Sequence, residues 1–288
     1  MPPPGRDPAK AGRLSHCVGG HTHRYARSAQ RYRFRRTQAV HGTAGRPVNL
    51  TVIVPAFNEA DYLPATLDTI GVAAEHLRVR SGADVDVLVV DNNSTDETAA
   101  IAISKGAAVV HEPVQGIARA RNAGARHAQG DVLVFVDADV LLPRDLLEAI
   151  QEAMSDPACV GGGVDVEYRP RQRVMRLYLR AWRLLARRMR LVQGATQFCR
   201  RDVFEQVGGY DEQTWIGEDV DFYRSMERLA RSAGGTVWFI EQPRVQASSR
   251  RFDKWPLWKT LLWTNPLFIA LFRRRKVFWA GWYRYPVR

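Results

Sequence analysis

The sequence predicts an α/β protein: an open, mostly parallel sheet flanked by helices, with a basic disordered arm before it and an aromatic, basic helical segment after it. Three observations predict this. Four short Val-rich runs recur between residues 50 and 139, each bounded by turn residues, as buried parallel strands do. Stretches of helical character separate them at the spacing of right-handed strand–helix–strand crossovers. The net charge of +12 on 288 residues is gathered at the two ends: +9 in residues 1–47 and +10 in residues 244–288, leaving −7 for the body.

Residues 1–47 open with three prolines, show no apolar periodicity and interleave Arg with Gly, His and Ser, the composition of a disordered arm. They hold no apolar core of the kind a signal peptide needs, which points away from secretion. Cys17, Cys159 and Cys199 are too few and scattered for a disulfide framework or a zinc cluster, so a reducing compartment is expected. The strand runs are LTVIVP (50–55), DVDVLVVD (84–91), AAVVH (107–111) and GDVLVFVDAD (130–139). Helices are expected over Asp61–Ala74, Thr95–Lys105, Ile117–Ala128 and Pro143–Met154, the second announced by Ser94 and Glu97 as a capping box.

In such sheets ligands bind beyond the carboxyl ends of the strands. The first strand ends on Asn58 and Glu59, the second on Asp91, the third acidic end on Asp137 and Asp139. Asp91 alone is equally well a helix cap. Four acids converging on one sheet edge would repel each other without a cation or a donor-rich ligand among them. Asp137 and Asp139, closing a buried strand, can both aim at one divalent ion that bridges diphosphate oxygens, Mg²⁺ or Mn²⁺.

Four segments in order resemble the family-2 glycosyltransferases of the A-type nucleotide-sugar-binding fold: VIVPAFNEADYLPATL (52–67), VLVVDNNSTDET (87–98), GIARARNAGARHAQGDVLVFVDADV (116–140) and GEDVDFYRSM (217–226). The resemblance covers roughly residues 49–245 and implies a transferase domain over 48–245, between the arm (1–47) and a C-terminal segment (246–288). It implies a nucleotide-binding sheet with Pro55, Ala56 and Glu59 near base and ribose and Asp91 at the base edge. Arg121 becomes a candidate nucleotide contact, Asp137 faces ribose and metal, and Asp139 faces metal and diphosphate. Inverting sugar transfer needs a carboxylate opposite the leaving diphosphate to take the acceptor's proton. The resemblance places it in the Glu-Asp pair, with Asp219 as the base and Glu218 as orienting neighbour or understudy. Asp221, two residues on, turns away as a structural or capping acid. Gly194 and Ala195 match a small-residue strand that approaches the donor sugar in relatives. GIARARNAG lacks the Gly-Lys-Ser/Thr signature of a phosphate loop.

Two segments go beyond a minimal soluble enzyme. In residues 171–192, Arg173, Arg176, Arg180, Arg183, Arg187 and Arg190 form one cationic stripe, with Val174, Leu177, Tyr178, Ala181, Leu185 and Met189 on the other side. Five of the eight tryptophans (Trp255, Trp258, Trp263, Trp279, Trp282) fall in the last 34 residues beside Arg273-Arg274-Arg275-Lys276. The apolar run 255–272 is interrupted by Lys259, Asn265 and Pro266 and falls short of the ~20 residues that span a bilayer. The arginine stripe reads as an element meeting an anionic membrane surface or a phosphate-bearing acceptor, and the C-terminal segment as one lying in a membrane interface or folding back to bury its tryptophans on the domain. The Gln-x-x-Arg-Trp motif of processive synthases is missing, which favours single-sugar transfer. SSRRF (248–252) takes a comparable place and makes Arg250 or Arg251 a candidate contact of the leaving diphosphate.

Two rivals fare worse. A nucleotidyltransferase would carry a Gly-rich basic loop after the first strand, where this chain has PAFNEADY. A nucleic-acid-binding protein would use the basic arms but leave the strand-end acids unexplained. The expected partners are a nucleoside-diphosphate sugar, a lipid-linked acceptor and an anionic membrane surface, not nucleic acid. The expected place is cytoplasmic, peripheral at the inner face of the membrane.

Overall fold

A computed structural model describes residues 29–33, 48–188, 194–275 and 277–279. Its centre is four parallel strands: β2 (Leu50–Ala56), β3 (Val85–Asp91), β4 (Ala108–His111) and β5 (Val132–Val136), ordered β4-β3-β2-β5. They coincide with the four Val-rich runs. β2 and β5 are buried from end to end because helices cover both faces. The period of two sorts their side chains. Val52, Val54, Val132, Val134 and Val136 pack with Leu63, Leu67 and Ile70 of α1 (Leu63–Ser81) and Leu147 and Ile150 of α4 (Leu146–Ser155). Ile53, Leu133 and Phe135 face α3 (Ile117–His127), α6 (Arg201–Val207) and α7 (Glu218–Ala233). Phe135 anchors that side, with ring centroids 5.6 Å from Phe204, 5.1 Å from Tyr210 and 6.2 Å from Phe222.

Beyond β5 the order runs β8 (Thr196–Arg200), β7 (Cys159–Tyr168), β9 (Thr236–Ala247) and β1 (Ala29–Arg33), with β6 (Val140–Leu141) on the end of β9. The β5–β8, β8–β7, β9–β1 and β9–β6 pairs are antiparallel and β7–β9 is parallel, so β2, β3, β4, β5, β7 and β9 share one direction. β7 contains three consecutive glycines (Gly161–Gly163), which hid it from propensity.

Two expectations change. Within the stretch read as a disordered arm, Ala29–Arg33 pair with Ile240–Thr236 through the backbone; the rest of 1–47 lies outside the described residues. Ser94 does not cap a helix: α2 runs Thr98–Ser104, and the Ser94 Oγ accepts from the Asn58 amide (2.9 Å). The remaining helices are α5 (Arg173–Arg188), α8 (Arg250–Lys254), α9 (Leu257–Trp263) and α10 (Pro266–Phe272).

On α5 the buried face is Met175, Leu179 and Ala186, while Val174, Leu177, Leu184 and Leu185 are exposed. The expected apolar side is therefore the outer one. Arg183 crosses to the buried Asp165, which Arg244 also reaches. Met189, Arg190 and Trp282 lie outside the described residues. The C-terminal segment divides its aromatics: Trp255 and Trp279 are buried, Trp255 meets Trp263 edge-on at 4.8 Å, and Trp258 is 66% exposed. Among the described residues no helix is long and apolar enough to cross a membrane.

Candidate active site

The strand ends open into one cavity of about 600 Å³. Its wall includes Pro55 and Ala56 at the end of β2, Glu59 after it, Asp137 and Asp139 after β5, and Glu218 and Asp219 at the start of α7. The loop after β2 is stapled to the loop after β3. The Asn58 Oδ1 accepts from the Thr95 amide (2.6 Å), and the Glu59 amide donates to the Thr98 Oγ1 (2.8 Å). That fixes the backbone of Glu59 and leaves its carboxylate to the cavity.

Asp91 stands beside the wall. Its Oδ1 accepts from the Ser94 amide (3.0 Å) and its Oδ2 meets the His111 Nδ1 (3.2 Å), while the adjacent Asn92 lines the cavity.

Arg121 joins the two halves of the site. It is 2% exposed; Nη1 donates to the Glu218 Oε1 (2.8 Å), and Nη2 to the Asp137 Oδ1 (2.8 Å) and the Gly194 carbonyl (3.2 Å). Its guanidinium lies over the Tyr210 ring at 5.1 Å. Burial is the largest influence on Arg121 and opposes its charge. Asp137, Tyr210, Glu218 and Asp219 outweigh it and hold the group protonated. Both terminal nitrogens, expected on a nucleotide, are thus engaged by the protein's own oxygens. Burial also pushes the Asp137 carboxyl up to about 6, Arg121 opposing and Asp139 adding. Burial raises Glu218 to about 7, with the neighbouring Asp219 charge adding and Arg121 opposing.

Asp219 is held differently. Gly217, at a φ of 77°, takes the left-handed turn that glycine enters without strain and starts α7 at Glu218. The Asp219 Oδ1 then accepts from the Val220 amide (2.8 Å) and its Oδ2 from the Gly194 amide (2.6 Å). Gly194 is pressed against it: a Cβ there would fall 2.3 Å from the Asp219 Cβ. Gln197 Nε2 donates to the Asp219 carbonyl (3.0 Å) from β8. Asp221 points elsewhere and pairs with Arg273.

The sequence marks Arg250 or Arg251 as a diphosphate contact but gives no sign of the pairing that Arg250 makes. Arg250 donates to both oxygens of Glu59 (2.7 and 2.5 Å) and lies 3.2 Å from the Asp139 Oδ2. The partners are 191 residues apart, so no local spacing carries the signal. Trp215 and Ile216, which line the cavity, directly precede the Gly-Glu-Asp motif.

Among the described residues, no three or more His, Cys, Asp and Glu side chains gather as a metal cage. The available donor set is two carboxylates, Asp137 and Asp139, each with one oxygen on an arginine. That set suits a hard ion sharing its coordination with phosphate oxygens and water, as Mg²⁺ and Mn²⁺ do.

A family model described as "Glycosyl transferase family 2" matches residues 51–208, more than half of the chain. The chain belongs to glycosyl transferase family 2. This agrees with the resemblance carried by the four motifs, and the sheet is that of the A-type fold. An uncharacterised glycosyltransferase of Mycobacterium tuberculosis is 41% identical over 90 residues, 31% of this chain and 36% of that protein. A 4,4'-diaponeurosporenoate glycosyltransferase of Staphylococcus aureus is 37% identical over 108 residues, 35% of this chain and 27% of that one. The matches thus span about a third of the length of these family-2 relatives. Among solved structures, a mannosyltransferase of Pyrobaculum calidifontis in complex with GDP-Man and Mn²⁺ superposes with a TM-score of 0.54 at 26% identity. That match covers 70% of this chain and 57% of the other.

Proposed function

We propose that this family-2 member is an inverting glycosyltransferase. It moves one sugar from a nucleoside-diphosphate sugar to an acceptor hydroxyl. One observation carries the reading: the strand-end carboxylates Glu59, Asp137 and Asp139 and the helix-start carboxylate Asp219 face the same cavity. Glu59, Pro55 and Ala56 belong to the donor side of that wall. Asp137 and Asp139 would hold Mg²⁺ or Mn²⁺, which stabilises the negative charge of the departing diphosphate.

Asp219 takes the proton from the acceptor hydroxyl as its oxygen bonds to the anomeric carbon. The bond to the diphosphate oxygen breaks on the opposite face, and the electron pair leaves with the nucleoside diphosphate. The Gly194 and Val220 amides hold the Asp219 carboxylate in one orientation. Glu218, buried and tied to Arg121, orients the motif from behind. Asp219→Asn is expected to keep donor binding and lose ~10²–10⁴-fold in transfer, the usual worth of a positioned base. A far larger loss in Glu218→Gln than in Asp219→Asn would move the base to Glu218.

The acceptor reading is a lipid-linked hydroxyl presented at an anionic membrane surface, reached peripherally. The cavity wall also includes Trp182, Ala186, Trp263, Ile269 and Ala270, contributed by α5, α9 and α10. The same helices carry Val174, Leu177, Leu184, Leu257, Leu261, Leu267 and Leu271 exposed, among arginines such as the exposed Arg173 and Arg180. Apolar side chains exposed beside cations suit an interface of acyl chains and anionic headgroups.

A further inference from the structure

Arg250 is a cavity-wall cation that is only 8% exposed in its side chain. Its guanidinium pairs bidentately with Glu59, lies 3.2 Å from the Asp139 Oδ2 and stacks over the Tyr62 ring at 4.3 Å. Its Nε has no hydrogen-bond partner among the described residues. The segment that carries it is tied to the same strand end, because the Ser248 amide donates to the Asp139 carbonyl (3.1 Å). The positive charge beside Asp139 is therefore supplied by an arginine.

We propose that Arg250 is the resident counter-cation of Asp139 and Glu59, and that it makes metal loading depend on the diphosphate. The inference rests on the assignment of Asp137 and Asp139 as metal ligands. A divalent ion approaching Asp139 meets a guanidinium already in contact with that carboxylate. Either the arginine withdraws, leaving Glu59 unpaired, or two cations share one carboxylate. A nucleoside diphosphate removes the conflict, because its oxygens accept from the guanidinium while others coordinate the ion. Arg250 thus competes with the ion when it arrives alone and joins it around a bound diphosphate. Arg250 is accordingly a positioning residue that couples nucleotide to metal. A purely structural arginine would only weaken both when removed.

The test is titration of Mn²⁺ by electron paramagnetic resonance, with and without UDP or GDP, on the full chain. Wild type is expected to bind Mn²⁺ weakly alone and more tightly with the nucleotide that fits. Arg250→Ala is expected to bind Mn²⁺ alone about tenfold more tightly, the scale of one contact charge in a partly solvated cleft. Its nucleotide affinity and its nucleotide-to-metal enhancement should fall. Arg78→Ala removes the same charge outside the cavity wall, from an exposed pair with Glu75, and is expected to change Mn²⁺ affinity less than about twofold, since salt screens exposed charges that lie more than a Debye length away. Arg250→Gln serves the same comparison if the alanine variant fails to fold. Mn²⁺ binding by Arg250→Ala or Arg250→Gln that is unchanged, weaker, or matched by Arg78→Ala overturns the proposal while leaving the metal assignment standing. Absence of Mn²⁺ binding by wild type with every nucleotide overturns the metal assignment, and the proposal with it.

Discussion

Gly194→Ala is the most economical perturbation of the proposed chemistry, because it adds one methyl group and removes no functional atom. The added Cβ would lie 2.3 Å from the Asp219 Cβ and 2.6 Å from its Oδ2, where ordinary contact begins at 3.4 Å. Asp219 must therefore retreat by roughly 1 Å, and its 2.6 Å bond from the Gly194 amide is distorted or lost. A displacement of ~1 Å at a reacting group costs about 10²-fold in rate. The donor side of the cavity, Glu59 and the Asp137–Asp139 pair, is held by Arg250 and Arg121 and stays in place. The expected result is a fall of about 10²-fold in sugar transfer with donor affinity changed less than about threefold, read by product formation and by calorimetric titration of the donor. Gly71→Ala is the control: nothing lies within 4 Å of its added Cβ, and it sits in the interior of α1. It should leave activity unchanged and stabilise the fold by about 0.5–1 kcal/mol. Wild-type transfer by a folded Gly194→Ala variant would refute the placement of Asp219 as the base.

Asp139→Ala should abolish turnover and leave the unfolding temperature nearly unchanged, because Arg250 keeps its pair with Glu59; full activity in that variant, or in excess chelator, would contradict the metal assignment. Burial, with the adjacent Asp219 charge, pushes the Glu218 carboxyl up from 4.5 to about 7, so the folded state holds its proton more tightly and this group's contribution to stability falls as pH rises across that window. Denaturant melts of Glu218→Gln should therefore lose less stability than wild type across that window, and parallel curves would refute the burial argument. The full chain should cosediment with anionic liposomes at low salt and be released at high salt. Equal recovery in the supernatant with and without anionic lipid would remove the membrane surface and leave the transferase reading standing.

The centre of the fold was legible because buried parallel strands are written as unbroken apolar runs, and β2 and β5 are buried on both faces. The strand-end rule pointed to Glu59, Asp91, Asp137 and Asp139 together; the cavity has Glu59, Asp137 and Asp139 in its wall, while Asp91 is turned to Ser94 and His111. What stayed hidden depends on tertiary context. The arginine stripe of α5 leaves two apolar flanks, and only packing decides that Met175, Leu179 and Ala186 turn inward while Leu177 and Leu184 do not. β1 is five residues, AQRYR, with no apolar alternation to reveal its pairing with β9. Arg121 was visible as a motif residue, yet its pairing with Glu218, 97 residues away, needs the folded chain. Arg250 is the extreme case, joining the far end of the domain to the first loop.

The central claim is that the cavity holds a nucleoside-diphosphate sugar and breaks its anomeric bond. The most direct measurement is incubation of the purified protein and Mn²⁺ with a panel of UDP-, GDP- and dTDP-sugars, scoring release of nucleoside diphosphate. Metal-dependent release from one nucleotide class is expected, lost in Asp139→Ala and Asp219→Asn. Binding of no nucleotide sugar by the folded protein, or release that persists unchanged in both variants, would contradict it.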